Sequence, residues 1–130
     1  MVRVSSEVEY RFVVPGQGVS FRSPRAKIYK AAVVRAARPG LPAQPRAEPV
    51  EIRLDYFHVT PRRFDMDNIA KCVIDALNGI AYIDDQLARL QSARAHDISK
   101  RVMINGGPVD LIKPLRRYRD YLFVRIRVIG

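Results

Sequence analysis

A chain of 130 residues with 48% apolar content is long enough for one hydrophobic core and too short for two, so a single domain over residues 1–130 is expected. Its 23 Lys and Arg against 13 Asp and Glu give a net charge of +10, which favours a polyanion as partner, although charge serving only solubility has the same composition. The lone Cys72 excludes a disulfide framework and a multi-cysteine zinc site, and Arg3, Glu7 and Glu9 stand where a secretory leader would be apolar, so a cytoplasmic protein without membrane spans is expected.

Val2, Val4, Val8, Tyr10, Phe12 and Val14 alternate with polar residues and predict a half-buried strand ended by Pro15-Gly16. Ser23 as N-cap and Pro24 at the first helical position predict a helix to about Ala37, with Ile28, Ala31, Ala32 and Arg35 at helical spacing. Arg25, Lys27, Lys30, Arg35 and Arg38 give it a basic face suited to phosphate, and a merely solvated face has the same pattern. The Pro-rich stretch Arg38–Pro49 reads as a connector. Val50, Ile52, Leu54, Tyr56 and His58 form the apolar side of a second strand, on which His58 is expected to be packed rather than a ligand.

From Asn68, the stripe Ile69, Cys72, Val73, Ala76 and Leu77 predicts a helix, in which Cys72 is a small core residue. Asn78-Gly79 ends it, and Ile80–Ile83 follows as a short buried strand. Gln86–His96 is ambiguous between helix and strand. Residues 97–120 contain the turn Asn105-Gly106-Gly107-Pro108 and the basic cluster Lys113, Arg116, Arg117 and Arg119. Tyr121–Ile129 closes the chain as a strand with Leu122, Val124, Ile126 and Val128 on one face. The predicted fold class is a mixed α/β (α+β) domain with few helices.

Phe64–Gln86 departs from this basic background: it gathers Asp65, Asp67, Asp75, Asp84 and Asp85, five of the thirteen acidic residues. Carboxylates held together favour a cation between them. On an extended segment Asp65 and Asp67 project to one side, and the following helix and strand can return Asp84-Asp85 beside them. Such a set suits Mg²⁺, which takes few protein oxygens and keeps waters. Lys71, one helical turn after Asp67, can lean toward the same place and stabilise charge on a reacting phosphate. Each feature also has a structural reading: Asp67 as helix cap, Lys71 and Asp75 as an i,i+4 pair, Asp84-Asp85 as turn residues.

Asp65-Met66-Asp67-Asn68-Ile69-Ala70-Lys71, Asp75-Ala76-Leu77-Asn78-Gly79 and Tyr82-Ile83-Asp84-Asp85-Gln86 together resemble the core motif of the RusA family of Holliday junction resolvases, small basic endonucleases of phages and bacteria. The resemblance implies a homodimer of mixed α/β fold with a mixed sheet and about two main helices. It implies resolution of four-way DNA junctions, in recombination and repair, by paired symmetric nicks with Mg²⁺ as cofactor and Mn²⁺ as a substitute. It places the metal-binding, catalytic acids on Asp65, Asp67 and Asp85 and the catalytic lysine on Lys71; Asp84 is adjacent and able to share the role, and Asp75 also matches the motif, at a helix position that allows a structural task. It also makes Gln86–His96 a strand. Arg62 and Arg63 precede the motif and join Arg25, Lys27 and Lys30 as expected DNA contacts. Two other functions fit the residues: a non-catalytic DNA-binding protein whose acids are caps and ion pairs, and a Mg²⁺-dependent phosphoryl-transfer enzyme acting on nucleotides.

Overall fold

Alternating apolar and polar residues produce four strands among the described residues of this computed structural model, which are 8–59, 65–99, 107–108, 110, 112, 114 and 119–129. The strands are β1 (Glu9–Pro15), β2 (Val50–His58), β3 (Ala88–Asp97) and β4 (Tyr121–Val128), in the sheet order β1-β4-β2-β3. β4 is antiparallel to both β1 and β2, whereas β2 and β3 are parallel. A parallel pair needs a crossover connection, and helix α2 (Met66–Ala76) lies within it. Helix α1 (Ala26–Ala37) sits between β1 and β2 in sequence. The outcome is the expected α+β domain, with a mixed sheet and two helices.

One sheet face carries the main core. Phe12 and Val14, Val50, Ile52, Leu54 and Tyr56, and Leu122, Val124, Ile126 and Val128 are buried there against Tyr29 and Val33 of α1 and Ile69, Cys72 and Val73 of α2. Cys72 is a buried core residue as expected, its thiol pushed up from the usual range by burial. His58 is also packed, stacked on Tyr56 with ring centroids 5.6 Å apart. On the other face Phe57, Tyr121 and Phe123 form a small aromatic cluster. Beside it lies a buried ionic group: Asp55 Oδ2 accepts from Arg125 Nη2 at 3.1 Å, and Asp55 Oδ1 lies 2.8 Å from His96 Nε2. This group ties β2, β3 and β4 together behind the main core.

Two sequence expectations need correction. Helix α1 begins at Ala26, not Pro24, because the Ser23 hydroxyl accepts from the Arg25 N–H at 3.1 Å and holds that turn outside the helix. Its buried side is Ala26, Tyr29, Val33 and Ala37, and Ile28 is 74% exposed. Ile80–Ile83 is not a strand. It is a turn in which Tyr82 makes isolated bridges with Asn78 and Arg46, and Ile83 faces solvent. Gly79, at φ +80°, permits this reversal without a Cβ penalty. The strand expected over Gln86–His96 is present as β3. Val2 and Val4, the Asn105-Gly106 part of the predicted turn, and Lys113, Arg116 and Arg117 lie outside the described residues.

Candidate active site

The acidic window folds into a helix start and a return. Asp65, in extended conformation, is the N-cap of α2: its Oδ1 accepts from the Asp67 N–H at 3.0 Å and its Oδ2 from Asn68 Nδ2 at 3.0 Å. Asp67 therefore lies inside the first helical turn, not on an extended segment, and the cap is Asp65 rather than Asp67. At the far end of α2, the Tyr82 hydroxyl donates to Ile74 O at 2.6 Å, and burial holds its phenol well above the usual range, aided by Asp85 and Asp75. This anchor and the Arg46 bridge turn the chain back toward α2. Asp84 then caps the short 3₁₀ turn Asp85–Leu87 by accepting from the Gln86 N–H at 2.9 Å.

An open cavity of about 680 Å³ lies between α2 and the β2–β3 side of the sheet. Asp67, Asn68, Lys71 and Asp75 of α2 line it, together with Asp85 and with Gln91 and Ser92 of β3. The fold thus brings together Asp67, Lys71 and Asp85, three of the four residues expected to carry chemistry. Asp65 does not line the cavity, because its carboxylate is turned onto the helix end. Asp67 and Asp85 accept no side-chain hydrogen bond from the described residues and are exposed. Asp84 and Asp85, adjacent in sequence, have separated: one caps, the other faces the cavity.

No three His, Cys, Asp or Glu side chains among the described residues stand close enough to hold one ion by themselves. Asp67 and Asp85 line the same cavity and are the carboxylates there without a hydrogen-bonded partner among the described residues, which is the donor chemistry a hard cation of the Mg²⁺ type would use. Such an ion is held by one or two carboxylates and completes its shell with water and phosphate oxygens rather than with a full protein cage.

Phe21, which sequence reasoning missed, also lines the cavity. Its N–H donates to Asn68 O at 3.0 Å, fastening the loop before α1 to the start of α2. The loop can approach this closely because Gly18 has no side chain: a Cβ there would stand 3.1 Å from Ile69 Cδ1 and 3.2 Å from its Cγ2. An aromatic residue set among Ser and Arg was the only signal available. Lys71 Nζ stands 5.9 Å from the Phe21 ring centroid and forms no ion pair among the described residues.

The expected DNA contacts fall into three groups. Arg25 and Lys27 are exposed at the start of α1. Lys30 is not free on a basic face: its ammonium is bound to Asp75 across the two helices. Arg62 and Arg63 lie outside the described residues.

No curated protein matches the chain. Residues 5–105 match the family model for endodeoxyribonuclease RusA, a span that contains both helices, the acidic window and every residue named along the cavity. With the greater part of the sequence matched, the chain belongs to the RusA endodeoxyribonuclease family.

Proposed function

We propose that the protein is a structure-selective endonuclease that resolves four-way DNA junctions by paired, symmetric nicks, as a homodimer with Mg²⁺ as cofactor. The observation that carries this reading is the convergence of Asp67, Lys71 and Asp85 on one open cavity of a protein with net charge +10. The positive charge draws DNA through its phosphates, with affinity that falls steeply as salt rises.

Asp67 and Asp85 would hold the cation, with Asp65 fixing the helix start that aims Asp67. When bound, the ion supplies a Lewis acid for the scissile phosphate. In hydrolysis a water oxygen bonds to phosphorus, the bond to one sugar oxygen breaks, and that oxygen takes up a proton. Negative charge accumulates on the non-bridging oxygens on the way. The Lys71 ammonium, unpaired among the described residues, supplies a charge that strengthens its interaction as this happens. Asn68 orients the Asp65 carboxylate through its side-chain amide and fixes Phe21 through its carbonyl. A two-fold dimer presents two equal sites to a junction that is itself close to two-fold, which accounts for paired cuts.

The test is incubation of a synthetic four-way junction, labelled in turn on each strand, beside a linear duplex of the same sequence, with Mg²⁺. Two nicks at symmetric positions in opposing strands, with the duplex intact, are expected. Tight binding of the junction without any nick would instead support a non-catalytic DNA-binding protein. Turnover of free nucleotides without cutting of branched DNA would support a different phosphoryl-transfer enzyme.

A further inference from the structure

Lys71 lies between two carboxylates of its own helix, Asp67 four residues before it and Asp75 four residues after it, the spacing at which opposite charges pair on a helix surface. Yet among the described residues Lys71 forms no ion pair, and Asp75 is bound by Lys30 of α1. The pair is partly shielded, with 29% of the Lys30 and 46% of the Asp75 side chain exposed. Lys30 Nζ also stands 4.9 Å from the centroid of the Phe21 ring, the same ring that Lys71 Nζ approaches at 5.9 Å. One aromatic ring thus borders two ammonium groups, of which one is paired with a carboxylate and one, among the described residues, is not.

We infer that Lys30 is a positioning residue for Lys71: by occupying the Asp75 carboxylate it denies Lys71 its nearest intrahelical partner on the C-terminal side and leaves that ammonium free for the cavity. This inference rests on the role proposed above for Lys71. The charge pattern has a simple physical logic. An ammonium already paired with a carboxylate has less attraction left for a phosphate, so catalysis by Lys71 is favoured when Asp75 is satisfied elsewhere. Lys30 does so from a separate helix, without itself lining the cavity. Phe21 limits where the two chains can lie, since its ring flanks both ammonium groups and attracts cations to its face. Lys30 itself does not line the cavity, which separates it from residues that would touch DNA there.

The experiment compares wild type, Lys30→Met, Lys30→Arg, Asp75→Asn and the double variant Lys30→Met/Asp75→Asn on the four-way junction, with kcat and KM measured separately. Lys30→Met is expected to lower kcat about fivefold with KM unchanged, the population shift that a surface-strength ion pair carries. Lys30→Arg keeps the pair and retains the rate. The double variant recovers it, because the carboxylate that Lys30→Met leaves unpaired, Asp75, is then absent. A crystal structure of Lys30→Met should place Lys71 Nζ within hydrogen-bonding distance of an Asp75 oxygen. A double variant as slow as Lys30→Met overturns the inference, as does a Lys30→Met defect confined to KM, which would make Lys30 a phosphate contact. A wild type that nicks no branched DNA refutes the underlying function instead, so the two failures are distinguishable.

Discussion

Asp55→Asn should be the most destabilising single charge change among the pairs on the sheet. Asp55 is 3% exposed and Arg125 5% exposed, and the two side chains meet at 3.1 Å across β2 and β4. Arg125 Nε already lacks a partner among the described residues, and the Phe123 ring centroid lies 5.9 Å from its guanidinium carbon. Removing the carboxylate charge leaves a buried guanidinium uncompensated, which typically costs about 3–5 kcal/mol. At a urea dependence of about 2 kcal/mol per molar, the unfolding midpoint falls by about 2 M. The comparison is Glu48→Gln, which breaks the Arg46–Glu48 pair, whose side chains are 27% and 49% exposed. Solvent screens that pair, and its loss should cost no more than about 1 kcal/mol. Replacing both buried partners, as Asp55→Leu with Arg125→Met, should recover much of the loss, since neither charge then remains. Urea titrations followed by circular dichroism give all three values. An Asp55→Asn protein no less stable than Glu48→Gln would refute the claim that this ionic group holds β2, β3 and β4 together behind the cavity.

Lys71→Ala should lower kcat for junction cleavage by about 10²–10³-fold with little change in junction affinity, the usual scale for removing one preorganised charge from a reacting site; a defect confined to affinity would reassign Lys71 to phosphate binding. Tyr82 makes stability fall in alkali. Its folded-state pKa is raised above the ordinary 10.0 by burial and by Asp85 and Asp75, so the contribution is fully present below about pH 10 and is lost above it as the unfolded chain releases its proton. The slope is about 1.4 kcal/mol per pH unit for each such tyrosine. Tyr82→Phe should flatten that alkaline limb in urea titrations between pH 8 and pH 11.

Much of this architecture was legible because its causes are local. The period-two patterns of β2 and β4 and the helical stripe Ile69, Cys72, Val73 and Leu77 name their own buried faces, and the motif located the acids. What escaped the sequence depends on partners distant in the chain. Ile80–Ile83 is apolar like a strand, but Arg46, far upstream, bridges to Tyr82 and the segment becomes a turn. Lys71 and Asp75 have the spacing of a pair, and only the packing of α1 on α2 reveals Lys30 as Asp75's partner. Asp84 and Asp85 are chemically identical neighbours, distinguished by which carboxylate reaches the Gln86 N–H. Helix α1 was shifted because Ser23 closes a turn before the helix rather than capping it.

The central claim is that the Asp67 and Asp85 carboxylates at the cavity carry the chemistry, while the neighbouring Asp84 only caps. Nicking of a four-way junction in Mg²⁺, measured beside junction binding, tests it directly with Asp67→Asn, Asp85→Asn and Asp84→Asn. Asn caps a helical turn as well as Asp does, so Asp84→Asn should cut at close to the wild-type rate. Asp67→Asn and Asp85→Asn should bind the junction as well as wild type or better and leave it uncut. Undiminished nicking by either of those two variants would contradict the account.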